Sequence, residues 1–267
     1  MTLPLTRLGR IWLIVLVALA GALAALLPPP FKQPQAYHQF ADQRTWFGLP
    51  NFLNVISNVG FLLVGLAGLH LLWNNTTAKA SRRFVEPSER IPYAAFFLAS
   101  IFTCFGSAYY HWRPGDSTLV WDRLPMTMAF MSLLAATIAE RIDLRAGLRS
   151  LGPLILAGAA SVGYWRWRGN LWPYAAVQYY SVLLVSLMIF LFPARYSRSA
   201  DLLWVTVLYA LAKVAEALDA RILAASRLVS GHPLKHLIAA LAVYWVLRML
   251  VKRQPLSHPP DALTQPR

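Results

Sequence analysis

The sequence predicts an all-α protein, a polytopic transmembrane helical bundle. Hydrophobic residues make up 57% of its 267 positions and charged residues only 13%, with a mean hydropathy of +0.47. Apolar runs long enough to cross a bilayer, about 17–25 residues each, recur along the chain. The loops between them are short and we find no internal repeat, so we expect a single membrane domain.

Eight apolar segments carry this prediction. In chain order they are Ile11–Leu27, Phe52–Trp73, Tyr93–His111, Leu119–Ala139, Ser150–Trp165, Pro173–Phe192, Leu202–Leu223 and Pro233–Val251. Arg7 and Arg10 precede the first segment, which also contains a signal-peptidase-like Ala22-Leu-Ala24, but its length favours a retained helix. The expected regions are an N-terminal transmembrane helix or signal anchor over 1–30, an extracytoplasmic segment over 31–51, a seven-helix core over 52–251 and a disordered cytoplasmic tail over 252–267.

The distribution of basic residues predicts how the chain lies in the membrane. The formal net charge is +14, but Lys and Arg lie at segment ends rather than in one stripe, which does not favour nucleic acid as a partner. More of them fall in the segments on the same side of the membrane as the N-terminus than in those on the opposite side. Cytoplasmic loops carry such an excess of Lys and Arg. We therefore expect both termini in the cytoplasm. The short loops and charge pattern favour a bacterial inner-membrane protein.

Five polar residues stand at the ends of apolar segments, where an ionisable side chain is costly and tends to be functional. Ser107 and His111 end the third segment, Asp122 begins the fourth, and His232 and His236 begin the eighth. In the predicted orientation all five lie near the outer face of the membrane. The inner halves offer little comparable apart from basic anchors. The sequence therefore predicts a site on the extracytoplasmic side.

Metal chemistry accounts for these residue types. His232 and His236 are four positions apart and share a helical face, and His111 would add a third nitrogen ligand. Zinc with three protein ligands keeps a fourth position for water, whose pKa it lowers. Asp122 could then accept a proton, and Ser107 could donate a hydrogen bond to a developing oxyanion. The alternatives are interfacial histidines that bond lipid or carbonyl groups, and a Ser107 that only packs helices.

Four short motifs resemble those of the alkaline ceramidases, within the CREST superfamily that also includes the adiponectin receptors. In order they are Asn54-Val-Ile-Ser57-Asn58, Ser107-Ala-Tyr-Tyr-His111, Asp122-Arg-Leu-Pro125-Met126 and His232-Pro-Leu-Lys-His236. The resemblance covers about residues 42–251. It implies a seven-helix CREST-like core, here preceded by one extra N-terminal helix. It also implies an intramembrane zinc amidase that cleaves the N-acyl bond of ceramide or a related N-acyl lipid.

By this resemblance His111, His232 and His236 would be the zinc ligands, Asp122 would hold or deprotonate the attacking water, and Ser107 would assist at the substrate carbonyl. The family's calcium-binding acidic stretch has no counterpart here, because 39–51 offers Asp42 as its one carboxylate and calcium prefers several.

Two other functions stay open at this stage. An adiponectin-receptor-like or structural protein would hold zinc with little turnover. A metal or proton transporter would carry ionisable residues at mid-membrane and towards the inner side as well. The lipid substrate, the oligomeric state and the direction of the reaction are not encoded in these patterns.

Overall fold

The computed structural model describes residues 5–74 and 83–256. Their α-helices are α1 (Arg7–Leu26), α2 (Phe52–Ile56), α3 (Val59–Trp73), α4 (Arg90–Trp112), α5 (Asp116–Arg141), α6 (Leu144–Arg168), α7 (Trp172–Leu191), α8 (Asp201–Ala217), α9 (Asp219–Ser226) and α10 (Gly231–Lys252). Short 3-10 helices cover Gln35–His38 and Pro87–Glu89. The predicted all-helical class is confirmed. Most of the predicted disordered tail, 257–267, and part of a predicted cytoplasmic loop, 75–82, lie outside the described residues.

Six stretches within 5–74 and 83–256 are long and apolar enough to cross a membrane. They are Arg7–Leu26, Phe52–Trp73, Pro87–Trp112, Leu144–Arg168, Trp172–Leu191 and Gly231–Lys252. Their number and length indicate an integral membrane protein. Each overlaps one of the eight expected segments, whereas the expected segments Leu119–Ala139 and Leu202–Leu223 are not among the six.

The first of these two segments lies in α5, the most enclosed helix. Asp122, Arg123, Glu140 and Arg141 of α5 are all buried, because α5 packs against α4, α6 and α7. A helix surrounded by protein can hold polar residues that a lipid-facing helix cannot. Its 26 residues extend about 39 Å at 1.5 Å per residue, more than the thickness of a bilayer core.

The second segment is broken at Leu218 into α8 and α9. At the break, the start of α10 fits against the chain so closely that a Cβ on Gly231 would stand 2.0 Å from the Ala215 carbonyl oxygen. The Asp219 carboxylate accepts hydrogen bonds from the backbone N–H groups of His232 (2.7 Å) and Ala41 (3.0 Å). A continuous helix would leave no room for this contact. The predicted single span Leu202–Leu223 is therefore interrupted.

The helices surround an internal cavity. α3 packs against α4 and α10, α10 packs against α8, and α8 meets α7 more loosely. α1 lies outside this arrangement and contacts α7, where Gly21 faces the ring of Tyr180 so closely that a Cβ would stand 2.4 Å from it. The cavity of about 510 Å³ is lined by residues of α4, α5, α7, α8 and α10.

In the predicted orientation, the end of the bundle at His111 is the outer end and the opposite end is the inner end. The inner end buries more charge than the sequence suggested. Glu140 accepts hydrogen bonds from Tyr93 (2.9 Å) and from the fully enclosed guanidinium of Arg253. Glu89, which is also buried, pairs with Arg195 at 3.1 Å. The prediction that the inner halves offer little comparable apart from basic anchors missed these acids, because hydropathy does not reveal acids buried against arginines. Each of these two acids is paired with an arginine, so we interpret the cluster as a structural contact between helices.

One close helix contact positions the outer end. Pro125 has no backbone N–H, so the α5 ladder supplies no donor to the Trp121 carbonyl four residues earlier. Gly106 of α4 lies against this carbonyl, and a Cβ at Gly106 would stand only 1.9 Å from its oxygen. The absence of a side chain at Gly106 therefore lets α4 and α5 meet backbone to backbone, beside Ser107 and Asp122.

Replacing Gly106 by alanine should force α4 and α5 apart and lower the free energy of unfolding by about 1–3 kcal/mol, as overpacking does. Thermal and denaturant unfolding in detergent would measure the change. Gly163→Ala is the matched control, because a Cβ there meets nothing within 4 Å and alanine is the better helix former. Equal stability of both variants would contradict the close-contact interpretation.

Candidate metal centre

Three buried histidines from two distant helices meet at the outer end of the bundle. His111 comes from the last turn of α4, while His232 and His236 come from the first two turns of α10. Their ring centroids are 4.7 to 5.0 Å apart. One ligand nitrogen from each ring lies within 4.8 Å of the other two, so the group can hold a metal ion.

The spacing fits a small tetrahedral ion. Zinc binds imidazole nitrogen at about 2.0–2.1 Å, so two ligand nitrogens on one zinc would be separated by roughly 3.3 Å. His111 Nε2 and His236 Nε2 are 3.1 Å apart. The other ring nitrogen of His111, Nδ1, is buried without a hydrogen-bond partner. One nitrogen from each of the three imidazoles already lies within 4.8 Å of the other two, so the residues fit such an ion.

The orientation of His236 is set by Ser57, in the turn between α2 and α3. His236 Nδ1 lies 2.8 Å from the Ser57 hydroxyl, which itself bonds the Asn54 carbonyl at 3.2 Å. If Ser57 donates to Asn54, it accepts from His236 Nδ1–H, and the Nε2 lone pair then faces His111. Such outer partners fix the tautomer and direction of metal-binding histidines.

His232 has a different environment. Its Nε2 lies 3.1 Å from the ammonium of Lys235, which leaves Nδ1 as the ring nitrogen available to a metal. Its backbone N–H is held by Asp219, a carboxylate at the positive end of α10. Asp219 fixes the backbone at His232, and Glu216 accepts from Lys235 at 2.8 Å.

The segment before α2 covers the histidines from outside. The Phe40 ring is buried, with its centroid 4.7 Å from that of His111 and 4.8 Å from that of His232. Asn51 donates to the His111 backbone carbonyl at 2.9 Å. These contacts exclude water from one side of the cluster and connect the segment to both helices.

Ser107 and Asp122 line the same end of the cavity as His236. Both side chains are buried. From this polar end the cavity continues to Phe96 on α4 and Leu133 on α5, which are eleven positions from Ser107 and Asp122 respectively and hence about 16 Å away. Three of the five residues singled out from the sequence, Ser107, Asp122 and His236, thus line the cavity, and the rings of His111 and His232 lie beside that of His236.

Three further contributors were given no role from the sequence. Ser57 was visible as a polar residue in an apolar segment, and Lys235 as a cation between two histidines. Phe40 gave no signal, because an aromatic residue in an irregular segment has no periodicity that predicts its contacts.

Asp42, the one carboxylate of 39–51, is paired with Arg44. The Arg44 guanidinium donates to both carboxylate oxygens of Asp42, at 2.8 and 2.7 Å. These hydrogen bonds hold the pKa of Asp42 below its ordinary value. A calcium ion at Asp42 would have to displace this cation.

No model of a known protein family matches the chain, and no curated protein matches it either. The likeness to the alkaline ceramidases therefore rests on the four motifs.

Removing the Ser57 hydroxyl should weaken the metal centre. We expect Ser57→Ala to lower zinc affinity by about tenfold to a hundredfold, as the loss of an outer hydrogen-bond partner does. Competition against a chromogenic chelator would measure it. Ser150→Ala is the control, since that hydroxyl bonds only the Gly147 carbonyl of its own helix. Unchanged affinity in Ser57→Ala would show that the hydroxyl does not orient His236.

Proposed function

We propose that this chain is an intramembrane zinc-dependent amidase that hydrolyses the N-acyl bond of ceramide or a related N-acyl lipid. The observation that carries the proposal is the convergence of His111, His232 and His236 beside an apolar cavity, which is lined by His236, Ser107 and Asp122. Three imidazoles with an adjacent carboxylate are a donor set typical of catalytic zinc.

His111, His232 and His236 would hold the ion. When bound, zinc supplies a Lewis acid that polarises an amide carbonyl and makes water acidic near neutral pH. Asp122 accepts the proton of the attacking water and passes it to the leaving nitrogen. The Ser107 hydroxyl donates a hydrogen bond to the carbonyl oxygen as negative charge develops there. The C–O bond forms, the C–N bond breaks, and the products are a fatty acid carboxylate and a protonated amine.

The placement of the site suits a lipid substrate. The residues lie at the outer ends of α4 and α10 and the start of α5, and the apolar cavity below them matches an acyl chain in chemistry. With both termini in the cytoplasm, the site faces the extracytoplasmic side of a bacterial inner membrane. In this proposal α2 with α3 and α8 with α9 each form one span, so that α2–α10 make up a seven-helix CREST-like core, and α1 is an additional helix.

One observation favours a second candidate, an adiponectin-receptor-like or structural protein with little turnover. The Lys235 ammonium beside His232 gives that ring a partner that requires no metal. The transporter alternative gains little from the buried charges at the inner end, because those acids are paired with arginines.

Substitution of the proposed ligands should separate metal binding from hydrolysis. His111→Ala, His232→Ala and His236→Ala should each remove bound zinc, measured by elemental analysis, and abolish release of fatty acid from an N-acyl sphingoid lipid. Asp122→Asn should retain most of the zinc but lose about 10²–10⁴ in rate, the usual contribution of a general base. His70→Ala is the control, since His70 is exposed near the inner end of α3.

Turnover that persists in a zinc-free His111→Ala/His236→Ala protein would refute the proposed function. Zinc bound by the wild type without hydrolysis of any N-acyl lipid would favour the receptor-like candidate.

A further inference from the structure

Arg123 is a buried cation that has no anionic partner. It is only 5% exposed, and no carboxylate within 5–74 and 83–256 forms an ion pair with it. Its Nη2 donates to the Gln33 amide oxygen at 2.5 Å, while Nη1 has no hydrogen-bond partner. Asp122 precedes it in sequence, but adjacent residues on a helix do not face each other.

Aromatic rings hold the Arg123 guanidinium in place. Its central carbon lies 4.2 Å from the ring centroid of Trp165 and 4.5 Å from that of Tyr174. Ring faces attract a cation but provide no hydrogen-bond acceptor. The guanidinium of Arg123 is thus fixed in position, and not all of its N–H groups have an acceptor. The planar shape of a guanidinium matches a carboxylate or a phosphate.

The cavity wall at this end has a surplus of positive charge. Arg123, Lys213 and Lys235 line the cavity together with only two carboxylates, Asp122 and Glu216. Both lysines form ion pairs with the same Glu216 carboxylate. A bound metal would add to the surplus. Uncompensated charge in a largely apolar cavity is costly, and an anionic ligand would reduce that cost.

The remainder of the cavity selects an amphiphile. Below the charged end the lining is mainly apolar, down to Phe96, Leu133 and Val243. A ligand that satisfies both parts carries one hydrocarbon chain and, close to the site of Ser107 and Asp122, a negative charge.

We propose that the lipid taken by this cavity carries a carboxylate or phosphate on the amine side of its amide bond, and that Arg123 binds this group. That the lipid contains an amide bond rests on the proposed function. That it carries an anionic group is inferred from Arg123 and the two lysines. A neutral ceramide would leave the positive charge of Arg123 without a counter-ion and is the poorer ligand.

Binding to metal-free protein tests the proposal without any turnover. The wild type, treated with chelator in neutral detergent, is titrated with N-oleoylglycine and with N-oleoylethanolamine, which differ in a carboxylate against a hydroxymethyl group. N-oleoyl phosphoethanolamine tests a phosphate in place of the carboxylate. We expect at least one anionic amphiphile to bind about tenfold to a hundredfold more tightly than the neutral one, as a charge-assisted hydrogen bond implies. Tryptophan fluorescence and thermal shift would follow binding.

Substitutions then assign the preference to a residue. Arg123→Gln should bind all three amphiphiles with similar affinity, and Arg123→Lys should recover only part of the preference because it lacks the bidentate fork. Arg221→Gln, an exposed change on α9 outside the cavity, should behave like the wild type.

Three results would overturn the proposal. The first is equal binding of neutral and anionic amphiphiles by the wild type, which requires no variant to fold. The second is a preference that persists in a folded Arg123→Gln protein. The third is oleate bound as tightly as N-oleoylglycine with the same dependence on Arg123, which would assign the arginine to the fatty acid product. Since none of these measurements involves metal or hydrolysis, they succeed or fail independently of the amidase function.

Discussion

Two close approaches of helix backbones determine where the site residues stand. Gly106 brings α4 onto the Trp121 carbonyl of α5, and Gly231 brings the start of α10 onto the Ala215 carbonyl of α8. Each glycine directly precedes a residue of the site, Ser107 in one case and His232 in the other. Metal ligation and proton transfer need side chains placed within a fraction of an ångström. Contacts with no intervening side chain give the backbone little freedom to shift, so the chemistry at the outer end depends on them.

The gathering of the histidines was predictable because it follows from topology. Once the chain crosses the membrane repeatedly, the end of one segment and the start of a distant one lie at the same depth, and His111 meets His236 for that reason. The position of Phe40 was not predictable. Its segment is irregular, and no periodicity indicates that an aromatic ring there will lie between His111 and His232. The sequence predicts which helix ends meet, while the irregular chain that covers them requires the structure.

Hydropathy misplaced some boundaries for identifiable reasons. It predicted a helix from Ser150, but α6 begins at Leu144 because the Asp143 side chain accepts a hydrogen bond from the Ala146 N–H. α6 ends at Arg168, where Gly169 adopts a left-handed conformation with φ of 70°. Both are ordinary capping signals that an apolar window does not weigh. The break at Leu218 is different in kind, since it depends on the contact of Gly231 with another part of the chain.

Buried charge is present at both ends of the bundle, so its presence alone does not identify a site. At the inner end, Glu140 is paired with Arg253 and Glu89 with Arg195, while the buried Arg141 forms no ion pair within 5–74 and 83–256 and donates to the Phe192 carbonyl. At the outer end, three cations face two carboxylates and a guanidinium nitrogen has no acceptor. Paired charges hold helices together at little net gain, and a buried cation without an ion pair occurs at each end, Arg141 at one and Arg123 at the other. Of these two arginines only Arg123 lines the cavity, and this position, more than the imbalance of charge, is what makes the outer end the proposed ligand site.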